Sequence, residues 1–141
     1  MTRDYDLYML GGNGQGELPL SIAGDAMACY GLPAAAQKFL VLLMTEKGSC
    51  LADPRRGTQF PRKLYSGAIQ SESQATMVFT QAVSDALKYL DTVEPDDVPE
   101  DERIVSASLQ SMTFTHDALK CNVLIETAAG GQTSVTLPFT V

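Results

Sequence analysis

The apolar positions of this chain change their period along its length, from three-and-four in the middle to two in the last third. The middle carries two helix patterns. Over residues 33–44, Ala36, Phe39, Leu40, Leu43 and Met44 recur at helical spacing, with Val41 and Leu42 widening the apolar face. Pro33 suits a first helical turn, where its missing N–H costs no hydrogen bond. Lys47 and Gly48 supply the charge and the stop expected at the far end. The second pattern is longer. Ala75, Val78, Phe79, Ala82, Val83, Ala86, Leu87 and Leu90 form a stripe, with Gln81, Ser84, Asp85 and Lys88 mostly opposite. Ser71 and Gln74 stand ahead of it at the spacing of a capping box. Both stripes read as core-facing surfaces rather than cofactor sites.

Beyond Arg103 strict alternation takes over. Val105, Ala107 and Leu109 share one parity while Met112 and Phe114 share the other, and a bulge near residues 110–111 reconciles them. His116 and Asp117 suit a tight turn. Leu119, Cys121, Val123 and Ile125 then alternate with polar residues. After a second turn at residues 128–131, so do Val135, Leu137, Phe139 and Val141. The last third is therefore a three-stranded antiparallel meander, with strands over residues 118–127 and 132–141. Pro138 has no N–H to give a ladder and belongs at a sheet edge or facing away from a neighbour.

Ahead of the helices, residues 6–10 read as a short strand and residues 17–22 as a second extended segment. The glycine cluster of residues 11–16 between them lacks the Lys-Ser/Thr of a phosphate loop and leads into no helix start, so it reads as a flexible loop. The expected fold class is α+β: two main amphipathic helices packed on a small antiparallel sheet, ending in the C-terminal three-stranded meander. One domain is expected over residues 1–141. Its parts are N-terminal extended segments (1–31), a helical part (32–93), an acidic loop (94–102) and the β meander (103–141).

Charge narrows the partners. A net charge of −7 argues against general nucleic-acid binding, which wants a basic face. No apolar run approaches the roughly 18 residues that cross a bilayer, and the first residues carry no signal-peptide pattern. The charge is unevenly placed. Arg55, Arg56, Arg62 and Lys63 form a basic stretch, while Asp91, Glu94, Asp96, Asp97, Glu100, Asp101 and Glu102 form an acidic one closed by Arg103. Pro95 and Pro99 break that acidic stretch into a loop expected to stay solvated. Complementary patches on one small chain suit head-to-tail assembly with copies or partners.

Candidate chemistry is sparse. Cys29, Cys50 and Cys121 are scattered, form no CxxC, and read as free thiols of a reducing compartment. His116 is the sole histidine and falls in a turn, which leaves a nucleophilic triad without a base. Glu46 is the one isolated acid outside the Pro-broken loop, so a carboxylate pair flanking a cleft is not apparent. Asp96, Asp97, Glu100 and Asp101 lack the Asp-x-Asp-x-Asp-Gly spacing of a calcium loop. The chain is expected to be no enzyme, with no catalytic, cofactor-binding or metal residues and no cofactor.

The order of the motifs is more specific than any one of them. An extended segment leads to Gly24-Asp25. A helix containing Gln37 follows, then the stop Leu43-Met-Thr-Glu-Lys-Gly48, a Pro-x-x-Gly loop from Pro54 to Gly57, a second helix, an acidic-Arg-Ile junction and a meander. This order resembles the baseplate wedge, or sheath initiator, family of contractile phage tails, which has relatives in type VI secretion baseplates. The resemblance runs from about Glu17 onward and is most specific over residues 37–57. It departs at the junction, where the family's Glu-Pro-Arg is replaced by Asp101-Glu102-Arg103-Ile104, without the proline.

The resemblance implies a structural virion protein, assembled in the host cytoplasm and resident in the tail baseplate. Its partners would be the tail sheath protein, baseplate wedge proteins, tail tube or hub proteins, and copies of itself in a six-fold ring, with no nucleic acid and no membrane. Asp101, Glu102 and Arg103 would meet the wedge proteins, and Arg55 and Arg56 would face a protein partner from the basic loop. The sheath-facing strands would carry Val123, Ile125, Val135, Leu137, Phe139 and Val141, with an exposed strand edge accepting a strand from the sheath. Two other readings are a lysozyme-like peptidoglycan hydrolase, a label proteins of this family have carried, and a tail or neck completion protein.

Overall fold

The computed structural model describes residues 31–140 and two short strands nearer the N-terminus, β1 (Asp6–Leu7) and β2 (Ala28–Cys29), which pair antiparallel. The glycine cluster, the extended segment of residues 17–22, the Gly24-Asp25 pair and Val141 lie outside the described residues. After β2 come α1 (Leu32–Leu43), α2 (Phe60–Tyr65), α3 (Glu72–Val93), β3 (Ile104–Phe114), β4 (Ala118–Thr127) and β5 (Gln132–Thr140). The architecture is α+β: helices packed on one face of a three-stranded antiparallel sheet of order β3-β4-β5.

Both expected helices form where their apolar periodicity places them. Pro33 lies in the first turn of α1, which buries Ala36, Phe39, Leu40 and Leu43, with Leu42 at 3% exposure. Val41, expected to widen the apolar face, is instead 39% exposed, because the buried arc closes on either side of it. The stop also differs from expectation. α1 ends at Leu43 with Met44 as its C-cap, and Gly48 takes its positive φ in the following turn. Ser71 caps α3 by accepting from the Gln74 N–H at 3.2 Å, while the Gln74 side chain accepts from the Gln70 N–H at 2.9 Å. The capping box is thus shifted by one residue on its return bond.

α2 is a helix the periodicity does not announce. It has six residues, too few to propagate by intrinsic propensity. Burial of Phe60, Pro61 and Leu64 holds it, together with the wholly buried Thr58, whose hydroxyl donates to the Leu43 carbonyl at 2.7 Å and accepts from the Phe60 N–H at 3.3 Å. One side chain thereby closes α1 and opens α2. The Phe60 ring meets Phe79 of α3 and Phe139 of β5 edge-on, each with centroids 5.2 Å apart, so three elements share one aromatic cluster.

In the meander Leu119, Cys121, Val123 and Ile125 of β4, with Val135 and Leu137 of β5, point into the core. The register between β3 and β4 shifts between Leu109 and Ser111, at the bulge the parity change requires, and Met112 and Phe114 return to the core side. A second shift falls between Ile104 and Ser106. It turns Ile104 toward the core and leaves Val105, expected inside, 55% exposed. The outer face of the sheet is polar or half-buried, with Lys120, Asn122 and Glu126 on β4 and Gln132, Ser134 and Thr136 on β5. That one-sided pattern is usual for an antiparallel sheet.

Candidate functional site

Three places carry the residues singled out from the sequence: the loop after α1, the acidic junction and the edge of β5. The loop begins where the Lys47 N–H donates to the Thr58 carbonyl at 2.9 Å and the Thr58 N–H to the Thr45 carbonyl at 2.8 Å. This staple forces Gly57 against the chain. Its φ is +102°, and an added Cβ would stand 2.4 Å from the Thr45 carbonyl oxygen. Inside the loop, the Asp53 carboxylate accepts from the Arg55 amide at 3.0 Å and from Arg55 Nε at 3.1 Å, and the Tyr89 hydroxyl of α3 donates to it at 2.9 Å. Those bonds, the Arg55 side chain first, hold the Asp53 carboxyl below its ordinary range. Desolvation, and then the bond to Asp53, push the Tyr89 phenol up. Arg55 and Arg56 are both exposed, with Arg55 held by Asp53.

An open groove of about 280 Å³ runs between this loop and the last turns of α3. Lys47, Arg55 and Gly57 line it from the loop, and Lys88, Tyr89 and Thr92 from the helix, with Asp85 beside them. Sequence reading found Arg55 here and missed Lys47 and Lys88, which are distant in the chain and join the groove only through the packing of the loop on α3.

Glu46 lies beside this loop as a surface ion pair with Arg62 of α2, whose Nε donates to Glu46 Oε1 at 2.8 Å. His116 is 95% exposed by its side chain, in the turn expected for it. Cys121 is buried against Met112, and burial pushes its thiol up to about 12, so it stays a protonated packing group. Among the described residues no group of three or more His, Cys, Asp or Glu could hold a metal ion. Among the same residues no helix is long and apolar enough to cross a membrane.

The acidic junction of residues 94–102 is solvated at Pro95, Asp96, Asp97 and Glu100, as expected, but its two ends are held more tightly than a wholly solvated loop would be. Glu94 caps the end of α3 and forms an ion pair with Lys38 of α1, with its own side chain only 9% exposed. Glu102 Oε1 accepts from the Gly31 N–H at 3.0 Å, at the start of α1, where a carboxylate also meets the positive end of the helix dipole. Arg103 donates to the Pro95 carbonyl at 2.9 Å, and its own carbonyl accepts from Ala128 at 2.9 Å in the β4–β5 turn. Pro99 is buried. Asp101 stands 3.2 Å from where a Cβ on Gly31 would be. Glu102 and Arg103 therefore tie the start of α1, the loop after α3 and the meander together, and Asp101, Glu102 and Arg103 each have half their surface or more withdrawn from solvent.

The strand residues divide by strand. Val123 and Ile125 are wholly buried on β4, the central strand, whose two edges are taken by β3 and β5. The expectation that β4 offers an edge to a partner is corrected by this order. On β5, Val135 and Leu137 are buried and Phe139 is half-buried, so their side chains face inward. The backbone of β5 is another matter. Thr127 donates to the Gly131 carbonyl at 2.9 Å across the turn, and the register continues through Ile125 opposite Thr133 to Leu119 opposite Phe139. Odd-numbered residues of β5 thus hold the bonds to β4, and even-numbered ones turn their N–H and C=O toward the open edge. Pro138, opposite Lys120, has the even parity, so its missing N–H costs no bond to β4.

Compared with known proteins, the chain matches no family model, and no curated sequence is significantly similar to it.

Proposed function

We propose that this chain is a non-enzymatic assembly protein of a contractile-tail baseplate, a sheath initiator. In this reading it offers the edge of β5 to the first sheath ring and docks on wedge and tube proteins, with copies of itself in a six-fold ring. The motif order from Glu17 onward supports the family, and the state of the β5 edge supports the mechanism. From Gln132 to Leu137 that edge carries no charge, no bulge and no proline, and among the described residues nothing pairs with it. Edge strands are commonly blunted by such devices. The opposite edge, β3, has two register shifts along its length. A sheet guarded on one side and left plain on the other is suited to accept one strand there.

Deleting residues 132–141 is a poor test, because it would strip Val135 and Leu137 from the core. The better test keeps the core and blocks the edge with Thr136→Pro. Tails assembled with this variant should carry a baseplate but no sheath, while the protein itself stays folded. Sheath of normal length on those tails would sink the strand-addition mechanism. Labelling the chain in micrographs of isolated tails checks its place, which should be the baseplate rather than the neck.

A further inference from the structure

The groove between residues 47–57 and α3 has no part in strand addition, yet its charge is organised. In a chain of net charge −7, Lys47, Arg55 and Lys88 converge on one open groove. Lys47 and Lys88 are exposed, and among the described residues neither has a carboxylate partner. Arg55 is different, because Asp53 engages its Nε and Nη2 and the Tyr89 hydroxyl fixes Asp53 in turn. The guanidinium is thereby held in place with Nη1 left over, and a cation fixed beforehand loses less entropy on binding than a free one.

We propose that this groove binds an acidic, carboxylate-bearing segment of a partner protein. The choice of carboxylates over phosphate follows from what surrounds the cations. The groove lies along the last turns of α3, at the negative end of the helix dipole, whereas phosphate sites gather at helix N-termini with free backbone N–H groups. Asp85 stands at the same groove and repels a concentrated dianion more than it repels single charges spread along a peptide. Two of the cations stand on the loop and one on α3, so acids spaced along a segment lying in the groove can meet cations on both its walls. Thr92 and the Tyr89 ring supply hydrogen-bonding and apolar surface for the intervening residues. The inference rests on the docking role proposed for the basic loop. The strand edge is a different surface, so either idea can fail without the other.

The test uses the full chain and a short fluorescein-labelled Glu/Ser peptide, read by anisotropy at low salt. Saturable binding is expected, with a loss of about tenfold or more in Lys47→Glu/Lys88→Glu. A matched double, Lys63→Glu/Lys120→Glu, makes the same change in net charge at residues that do not line the groove and should bind as the parent does. Circular dichroism confirms that both doubles are folded. On peptide addition, backbone amide shifts should concentrate at residues 47, 55–57 and 85–92. The proposal is overturned if the two doubles lose affinity equally, if the shifts fall elsewhere, or if inorganic phosphate binds the groove as tightly as the peptide.

Discussion

A proline placed at neighbouring positions of β5 should have opposite consequences. Val135 and Thr136 differ by one residue, but the register gives their N–H groups opposite directions: Val135 faces Val123 on β4, and Thr136 faces the open edge. In Val135→Pro the ladder loses a bond worth about 1 kcal/mol net, and a buried Val123 carbonyl is left unpaired at about 1–3 kcal/mol more. The ring also crowds the β4 backbone, and Val135, at 9% exposure, gives up apolar packing. The sum is about 4 kcal/mol, a large share of the stability of an ordinary domain. In Thr136→Pro only a solvent-facing donor is lost, and Val135 before it already has the extended backbone that a following proline prefers. Its cost should stay near 1 kcal/mol or below. Urea unfolding of the two variants beside the parent measures the difference. Equal destabilisation would refute the assignment of odd residues to the ladder, and with it the description of the edge.

Three further outcomes follow from the loop and the junction. Gly57→Ala puts a Cβ 2.4 Å from a backbone oxygen at a φ of +102° and should cost about 3 kcal/mol, measurable as a lowered urea midpoint, whereas Gly130→Ala, with open space around it, should cost less. Lys38→Met leaves the Glu94 carboxylate, 9% exposed, without its cation and should cost about 2 kcal/mol; adding Glu94→Gln should recover part of it, and a strictly additive double-mutant cycle would show the pair to be idle. The Arg55–Asp53–Tyr89 cluster acts at both ends of the pH scale, through Arg55 first at Asp53 and through burial first at Tyr89. Because Asp53 is lowered from 3.8, its contribution is present above that pH and fades as the pH falls below it. Because Tyr89 is raised from 10.0, the folded state loses ground as the pH rises past 10. Thermal melts should show the acid-side slope reduced in Asp53→Asn and the alkaline-side slope reduced in Tyr89→Phe.

What was legible in the sequence was what repetition encodes. α1, α3 and the three strands of the meander each repeat an apolar spacing long enough to outweigh local noise, and the parity change at Leu109–Ser111 gave away its bulge. α2 escaped because two of its six residues, Arg62 and Lys63, read as part of a charge run, while Phe60, Pro61 and Leu64 declare themselves only through Thr58 and the packing of Phe79 and Phe139. A Pro in a first helical turn at Pro61 was the available sign. Val41 and Val105 were misplaced for a related reason, since periodicity counts apolar residues but does not measure the width of a buried arc or a second bulge. The acidic loop looked solvated because Lys38 and Gly31, which hold Glu94 and Glu102, lie far away in the chain. The groove was hidden in the same way: Arg55 stood out as part of a basic loop, but nothing local joins Lys47 to Lys88.

The register shifts of β3 and the plain edge of β5 together set how many neighbours the sheet can recruit. A sheet with two receptive sides could take a strand on each and extend indefinitely, copy upon copy, into a fibre. With β3 irregular, the strand addition proposed above is single-valent. Pro138 then bounds the one docking lane lengthwise, since an incoming strand meets no donor there and its ladder is best formed over the residues before it. If strand addition operates as proposed, the sheet binds one short strand and then has no regular edge left among the described residues, giving a stoichiometric junction rather than a template for growth.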